Sequence, residues 1–190
     1  MSESQHGTQS LPSHIRPLVE SLIAHAREIS ESGKELMTIA VVGRLDPNEV
    51  RLLSVDQSDP DRRDRSLAEI RATAATLDAD FVLLISESWT LEGKHAERAQ
   101  EIIEEYGSIG NSPYKKEVAT FSLETHDGNW LGVAPLVPKG YSKRKKTFRD
   151  PKFTYAPPAK GGKTELVGAL TGLLPPRNPS ADGPDGPKVH

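Results

Sequence analysis

The sequence has 190 residues, a formal net charge of -3 and no cysteine. Without cysteine the chain can form no disulfide, thiolate nucleophile, zinc ribbon or iron–sulfur cluster, which excludes a large part of catalytic chemistry. The small negative charge gives no overall attraction to nucleic acid or to an anionic membrane. We therefore expect a cytoplasmic protein, long enough for one ordinary domain with tails.

The two ends of the chain differ in composition from the middle. Residues 1–12 are polar, without periodicity, basic leader or apolar run, so we predict a flexible arm. Residues 156–190 form a Pro/Gly-rich tail in which 164–174 could fold into a short helix. A single α+β domain is expected between them, over residues 13–155.

The first half of this domain predicts two helices and a hairpin. Apolar residues recur at steps of three and four from Ser13, which acts as N-cap, to Gly33, where the helix stops. Strands over residues 36–45 and 50–55 follow as a hairpin, and a second helix spans 60–79.

The domain is expected to be organised around a central strand at residues 80–90. Its five apolar residues Phe81 to Ile85 have no helical period and include the β-branched Val82 and Ile85. Such a run is typical of a strand that is buried on both faces. We therefore place it near the middle of the sheet.

The second half predicts one helix and three more strands. The helix spans residues 94–106, and strands 117–124 and 130–137 are joined by a turn at Asp127-Gly128. A further short strand is expected at 152–155. The order α-β-β-α-β-α-β-β indicates a mixed, mostly antiparallel sheet with helices packed on it.

Polar residues at the carboxyl end of the central strand are the candidate catalytic and binding groups. Glu87 and Trp89 leave the buried strand at a point where side chains often project into a ligand crevice. Glu87 could serve as a general acid or base, with Glu117 or Glu124 as its partner. The alternative, which we favour, is that Glu87 caps a backbone or pairs with an arginine while Trp89 closes the core.

A basic segment suggests a second kind of partner. Residues 139–149 carry six lysines and arginines and no acidic residue. Its cations could neutralise phosphates while aromatic rings stack on bases, although we favour the ordinary alternative of a solubilising loop. The candidate binding residues are Tyr141, Lys143, Arg144, Lys145, Lys146 and Phe148.

Three other chemistries are not favoured by the sequence. Gly161-Gly162-Lys163-Thr164 looks like the end of a phosphate-binding loop, but Pro157 occupies the position of the required glycine. Asp80 with Glu92-Gly93-Lys94 imitates a metal-dependent nuclease, but Lys94 is expected to begin a helix. The six histidines show no metal-ligand spacing, and neither a cofactor nor a metal is indicated.

The middle hundred residues resemble bacterial and phage-encoded conserved hypothetical proteins. The resemblance rests on Leu36 to Leu45, on Ile85-Ser86-Glu87-Ser88-Trp89, and on the strand from Lys116 to the turn at Asp127-Gly128. It implies a single domain and carries no activity.

These patterns predict a non-catalytic binding or accessory domain of unknown function. Two alternatives stay open. One is a nucleic-acid-binding protein that uses residues 139–149 or, by the same chemistry, contacts an acidic protein. The other is a hydrolase-type enzyme with a carboxylate site around Glu87.

Overall fold

The computed structural model describes residues 10–142, 144–158 and 171–176. Four α-helices lie in these ranges: α1 (Arg16–Glu31), α2 (Pro60–Leu77), α3 (Lys94–Glu97) and α4 (Ala99–Tyr106). The strands are β1 (Ile39–Arg44), β2 (Glu49–Ser54), β3 (Phe81–Thr90), β4 (Lys116–Thr125), β5 (Gly128–Pro135), β6 (Val137–Pro138), β7 (Lys146–Thr147) and β8 (Lys152–Ala156).

The six long strands form one sheet, in the order β2-β1-β3-β4-β5-β8. Each adjacent pair is antiparallel, and β3 lies inside the sheet between β1 and β4. Strands β6 and β7 pair separately as a short ribbon. The α+β class and the mostly antiparallel sheet are thus confirmed.

Both faces of the sheet are covered, and alternation along β3 supplies both layers. Phe81, Leu83 and Ile85 are buried in one core with the apolar side of α1, whereas Val82 and Leu84 are buried in the other core with α2. Successive side chains of a strand point to opposite faces, so a strand buried on both sides must be apolar at every position. The prediction for Phe81 to Ile85 is therefore confirmed.

Helix α1 begins two residues later than expected. Arg16 is its first residue, and the N-cap is Ile15, whose hydrocarbon side chain cannot accept a hydrogen bond. The amides of Ile15 and Arg16 bond the carbonyl of Pro12 in a preceding turn. The predicted N-cap at Ser13 was therefore wrong. The predicted stop at Gly33 is confirmed by its φ of 84°, a left-handed value that favours glycine.

Helix α2 starts where its sequence indicates. The Asp59 side chain accepts a hydrogen bond from the amide of Arg62 at 2.9 Å and so caps the first turn. The guanidinium of Arg62 contacts Asp56 and Asp59 at 3.3 and 3.1 Å. These carboxylates offset the unfavourable position of a cation at a helix N-terminus.

Other elements depart from the expected pattern. The predicted helix over residues 94–106 is interrupted at Arg98, which leaves the helical region between α3 and α4. The β6–β7 ribbon was not predicted, because two-residue strands carry no periodicity. The candidate helix at 164–174 lies mostly outside the described residues, but Leu173 and Leu174 are buried in the core beside α2.

Among the described residues, no helix is both long enough and apolar enough to span a bilayer.

Candidate functional site

A charged cleft opens beside the carboxyl half of β3, on the face of the sheet that α1 covers. We call it the β3 cleft. It has a volume of about 590 Å³, large enough for a small molecule. Its walls come from the end of α1, the loop that follows and the β6–β7 region. The lining residues are Ser30, Gly33, Lys34, Glu35, Met37, Glu87, Arg144 and Lys146.

Glu87 projects from β3 into this cleft. Alternation places it on the same face as Phe81, Leu83 and Ile85, but two residues beyond the last of them. Its side chain is half-buried and makes no hydrogen bond or close ion pair with any described residue. The expected backbone cap or arginine partner is therefore absent from the part of the chain that the structure describes.

Lys146 is the cation that Glu87 faces, and it is held in place by Glu117. The Lys146 ammonium lies 2.7 Å from the Glu117 carboxylate. This hydrogen bond raises the pKa of Lys146, and the charges of Glu117, Glu87 and Glu35 act in the same direction. Lys146 therefore stays protonated and suits anion binding rather than nucleophilic or base chemistry.

The β6–β7 ribbon is anchored to the end of α1 by Glu31. One carboxylate oxygen accepts a hydrogen bond from the Thr147 hydroxyl at 2.6 Å, and the other receives the Lys139 ammonium. The hydrogen bond from Lys139, and next that from Thr147, lowers the pKa of Glu31 below its ordinary value. These bonds fix one wall of the β3 cleft.

The predicted basic segment is divided by the fold. Lys139 and Lys146 are paired with acids, whereas Arg144 and Lys145 are exposed and form no ion pair in the described ranges. Tyr141 is fully exposed. Lys143 lies outside the described residues.

Phe148 does not belong to an exposed surface. It is buried in the core with α1, its ring centroid 5.9 Å from that of Phe121 and 5.1 Å from the guanidinium carbon of Arg27. A ring packed in this way cannot stack on a base. The binding role predicted for Phe148 is thus a core-packing role instead, because its apolar ring gains more from burial than from solvent.

Trp89 lies at the rim rather than in the core. Its side chain is 52% exposed, so the expectation that it closes the core was wrong. Gly110 lies against the ring, and the Lys115 ammonium, 5.4 Å from the ring centroid, donates a hydrogen bond to the Gly110 carbonyl at 2.6 Å. The half-exposed indole thus has Gly110 and Lys115 as neighbours from the segment that precedes β4.

Glu124 does not join Glu87 and Glu117. It points to the opposite face of the sheet, where its two oxygens accept hydrogen bonds from the amides of Gly172 and Leu173 at 3.0 and 2.9 Å. This fastens the segment 171–176 over the core beside α2. Local sequence patterns contain no signal for this contact, because the partners of Glu124 are 48 and 49 residues away in the chain.

Another cavity, of about 730 Å³, lies between α1 and β8. Of its charged groups, the Arg27 guanidinium contacts Asp150 at 2.5 Å and Arg16 donates to the Leu11 carbonyl at 2.8 Å, whereas Glu20 and Lys152 form no ion pair in the described ranges. The β3 cleft is the better candidate for a polar ligand because Glu87 lies on the rigid central strand and Lys146 is held in position beside it.

The nuclease-like and metal arrangements find no geometric support. The Asp80 carboxylate accepts a hydrogen bond from the Leu45 amide at 2.7 Å, and Lys94 begins α3 as expected. No group of three potential metal-ligating side chains occurs within the described ranges. Residues 161–164 lie outside these ranges.

Neither a protein-family model, nor a curated protein, nor a solved structure matches the chain. The resemblance to bacterial and phage hypothetical proteins therefore stays a prediction. A function for this protein therefore has to be inferred from the geometry of the described residues.

We expect Glu124→Ala to lower the free energy of unfolding by about 2 kcal/mol, because two charge-assisted hydrogen bonds to backbone amides are lost. Hydrogen exchange at the Leu173 amide should accelerate. Glu117→Ala is the matched control and should cost at most about 1 kcal/mol, since its ion pair is partly exposed to solvent. Urea unfolding measures both, and equal losses would contradict the structural role of Glu124.

A second expectation concerns pH. The pKa of Glu31 is lower in the folded chain than its ordinary 4.5, so its stabilising bonds are fully present above that value and are lost as pH falls through the folded pKa. Wild type should be more stable than Glu31→Gln at pH 7, and this difference should shrink progressively below pH 4.5. A difference that stays constant across the acid range would show that Glu31 does not anchor the ribbon.

Proposed function

We propose that the protein is a non-catalytic binding domain whose β3 cleft takes a small ligand with an anionic group and a hydrogen-bond donor. The observation that carries the proposal is the meeting of unpaired opposite charges in one concavity. Glu87 and Arg144 both line the cleft, and neither has an ion-pair partner within the described ranges.

The anion-binding side of the cleft is formed by Lys34, Arg144 and Lys146. A guanidinium offers a fork of donors that suits phosphate or carboxylate, and an ammonium supplies a compact charge. Lys146 is held by Glu117, so it is positioned before a ligand arrives. Such preorganisation reduces the ordering cost of binding.

Glu87 supports the other half of the recognition. A carboxylate on the rigid central strand can accept hydrogen bonds from an ammonium, hydroxyl or amide group of the ligand. Trp89, two residues further on the same strand face, lies roughly 6–7 Å away and presents a half-exposed indole at the rim. An apolar part of the ligand could rest on that ring.

Several observations favour binding over catalysis. Glu117 is tied to Lys146 and Glu124 lies on the opposite face, so the three predicted catalytic carboxylates do not converge. General acid–base chemistry on a bond needs a second group within reach of the same atoms. Of the three carboxylates, only Glu87 is left without a partner in the described residues to support the hydrolase hypothesis. The cytoplasmic location stays a prediction.

The test uses O-phosphoethanolamine, which carries a phosphate and an ammonium, together with inorganic phosphate and ethanolamine as its halves. Amide signals of Gly33, Lys34 and Glu87 are followed by NMR titration. We expect the two-charge probe to bind more tightly than either half. Arg144→Ala should weaken it about tenfold, since a charge-assisted hydrogen bond contributes about 1.5 kcal/mol or more.

The variants separate the two halves of the site. Glu87→Gln should weaken O-phosphoethanolamine but leave inorganic phosphate unchanged, whereas Arg144→Ala should weaken both. Arg63→Ala removes an exposed cation from the remote helix α2 and should change neither. If no probe shifts the cleft signals, or if all three variants act alike, the proposed site is wrong.

Nucleic-acid binding is a second proposal, and it is supported by a smaller set of residues than the sequence predicts. Arg144 and Lys145 are exposed without ion-pair partners in the described part of the chain, and Tyr141 beside them is fully exposed. A single-stranded nucleic acid could contact these cations and stack on the tyrosine. The pairing of Lys139 and Lys146 and the burial of Phe148 leave the surface small.

A polyanion column tests this second proposal. We expect retention on heparin to fall when Arg144 and Lys145 are both changed to alanine, and to vanish as salt rises, because released counterions drive such binding. The Arg63→Ala/Arg65→Ala variant removes the same charge from α2 and should elute like wild type. Unchanged elution of the Arg144 and Lys145 variant would exclude a nucleic-acid role for this segment.

A further inference from the structure

The outer edge of β2 points to a second copy of this chain as its partner. We propose that two copies pair β2 against β2 in antiparallel fashion, about a twofold axis through Leu52, and so join two six-stranded sheets into one. The inference does not depend on the β3 cleft or on any ligand.

The register of the β1–β2 hairpin shows which backbone groups face outward. The Val55 amide donates to the Thr38 carbonyl at 2.9 Å, one pair beyond Ile39 and Ser54. Bonded and non-bonded pairs alternate in an antiparallel ladder, so the backbone groups of residues 51 and 53 point to β1. Those of Val50, Leu52 and Ser54 therefore point away from the sheet, and β2 is its terminal strand.

Within the described ranges no further strand pairs with this edge, and Val50 and Leu52 on its α1-facing side are apolar. Leu52 is 68% exposed and Val50 is 38% exposed, on the same face of the strand. Proteins normally guard such an edge with proline, lysine or a covering element. The opposite edge of the sheet is protected in this way. Its strand, β8, presents Lys152 and Thr154 and is bounded by Pro151 and Pro157. The contrast indicates that β2 is kept available for pairing.

Self-pairing is favoured because the edge is complementary to itself about Leu52. With Leu52 opposite Leu52 of the partner subunit, Val50 lies opposite the partner's Ser54, and each of these pairs can exchange both backbone hydrogen bonds. The two exposed leucines bury each other. Moving the axis to Arg51 would set two arginines directly opposite, which is unfavourable. Moving it to Val50 would run the pairing into the turn that precedes β2.

Charges near the edge fit the same arrangement. The Arg51 guanidinium contacts Glu49 at 2.5 Å, so the strand carries no unpaired cation to the interface. Glu49, Arg51 and Glu69 line a groove of about 360 Å³ between β2 and α2. Under the twofold, Arg51 lies diagonal to the partner's Arg51 rather than directly opposite it, and its own Glu49 neutralises its charge.

Cysteine cross-linking tests both the association and its register. The chain contains no native cysteine, so Leu52→Cys introduces a single thiol. Directly opposed residues in a bonded pair have α-carbons about 5.5 Å apart, within the range of a disulfide. We expect the full-length Leu52→Cys protein to form a disulfide-linked dimer on mild oxidation with diamide. Ser54→Cys should not, because its two copies would lie roughly 13 Å apart along the strands.

Sedimentation of the untagged protein completes the test. Wild type should sediment at twice the chain mass, and Leu52→Lys should shift the dimer dissociation constant upward by at least about tenfold. Val137→Lys, which makes the same change at an exposed residue far from this edge, should remain dimeric. A monomeric wild type would overturn the proposal, as would cross-linking at residue 54 in place of residue 52.

Discussion

The burial of β3 on both faces is the constraint on which the rest of the structure depends. The strand lies between β1 and β4, with α1 packed on one side and α2 on the other. A shift of one residue in the strand register would place Phe81, Leu83 and Ile85 against α2. It would place Val82 and Leu84 against α1, although the two cores differ in composition. The register is therefore fixed, and β4 pairs with β3 along its whole length.

This fixed register determines where Glu87 lies. The side chains at positions 81, 83 and 85 are apolar because α1 covers them, and alternation carries the same face forward to Glu87 and Trp89. Helix α1 ends at Glu31, and the loop after it lines the cleft instead of a closed core. The cleft thus forms where the sheet continues beyond its helical cover, and its floor is as rigid as the central strand.

Sequence reasoning succeeded where a few neighbouring residues determine the outcome. The apolar run of β3, the Asp59 cap and the turn before Gly128 each follow from short-range chemistry.

Sequence reasoning failed where a residue's partner is distant in the chain. Glu124 binds the amides of Gly172 and Leu173, and Phe148 packs on Phe121, but neither contact leaves a trace in local periodicity. Glu87 was correctly placed on the strand, yet Lys34 and Glu35 beside it were missed because loop residues carry no period.

The basic segment shows why charge must be counted after folding. Six cations in eleven residues suggest a polyanion site, but Glu31 and Glu117 come from distant elements to pair with Lys139 and Lys146. What faces a partner is the remainder, which among the described residues is Arg144, Lys145 and Arg149. The same holds at β2, where Glu49 neutralises Arg51 and leaves Leu52 as the distinctive feature of the edge.

Glu87 lies two strands inside that edge, roughly 10 Å away. A second copy added at β2 would extend the sheet sideways and leave the cleft open, so ligand binding and self-association are compatible in one molecule.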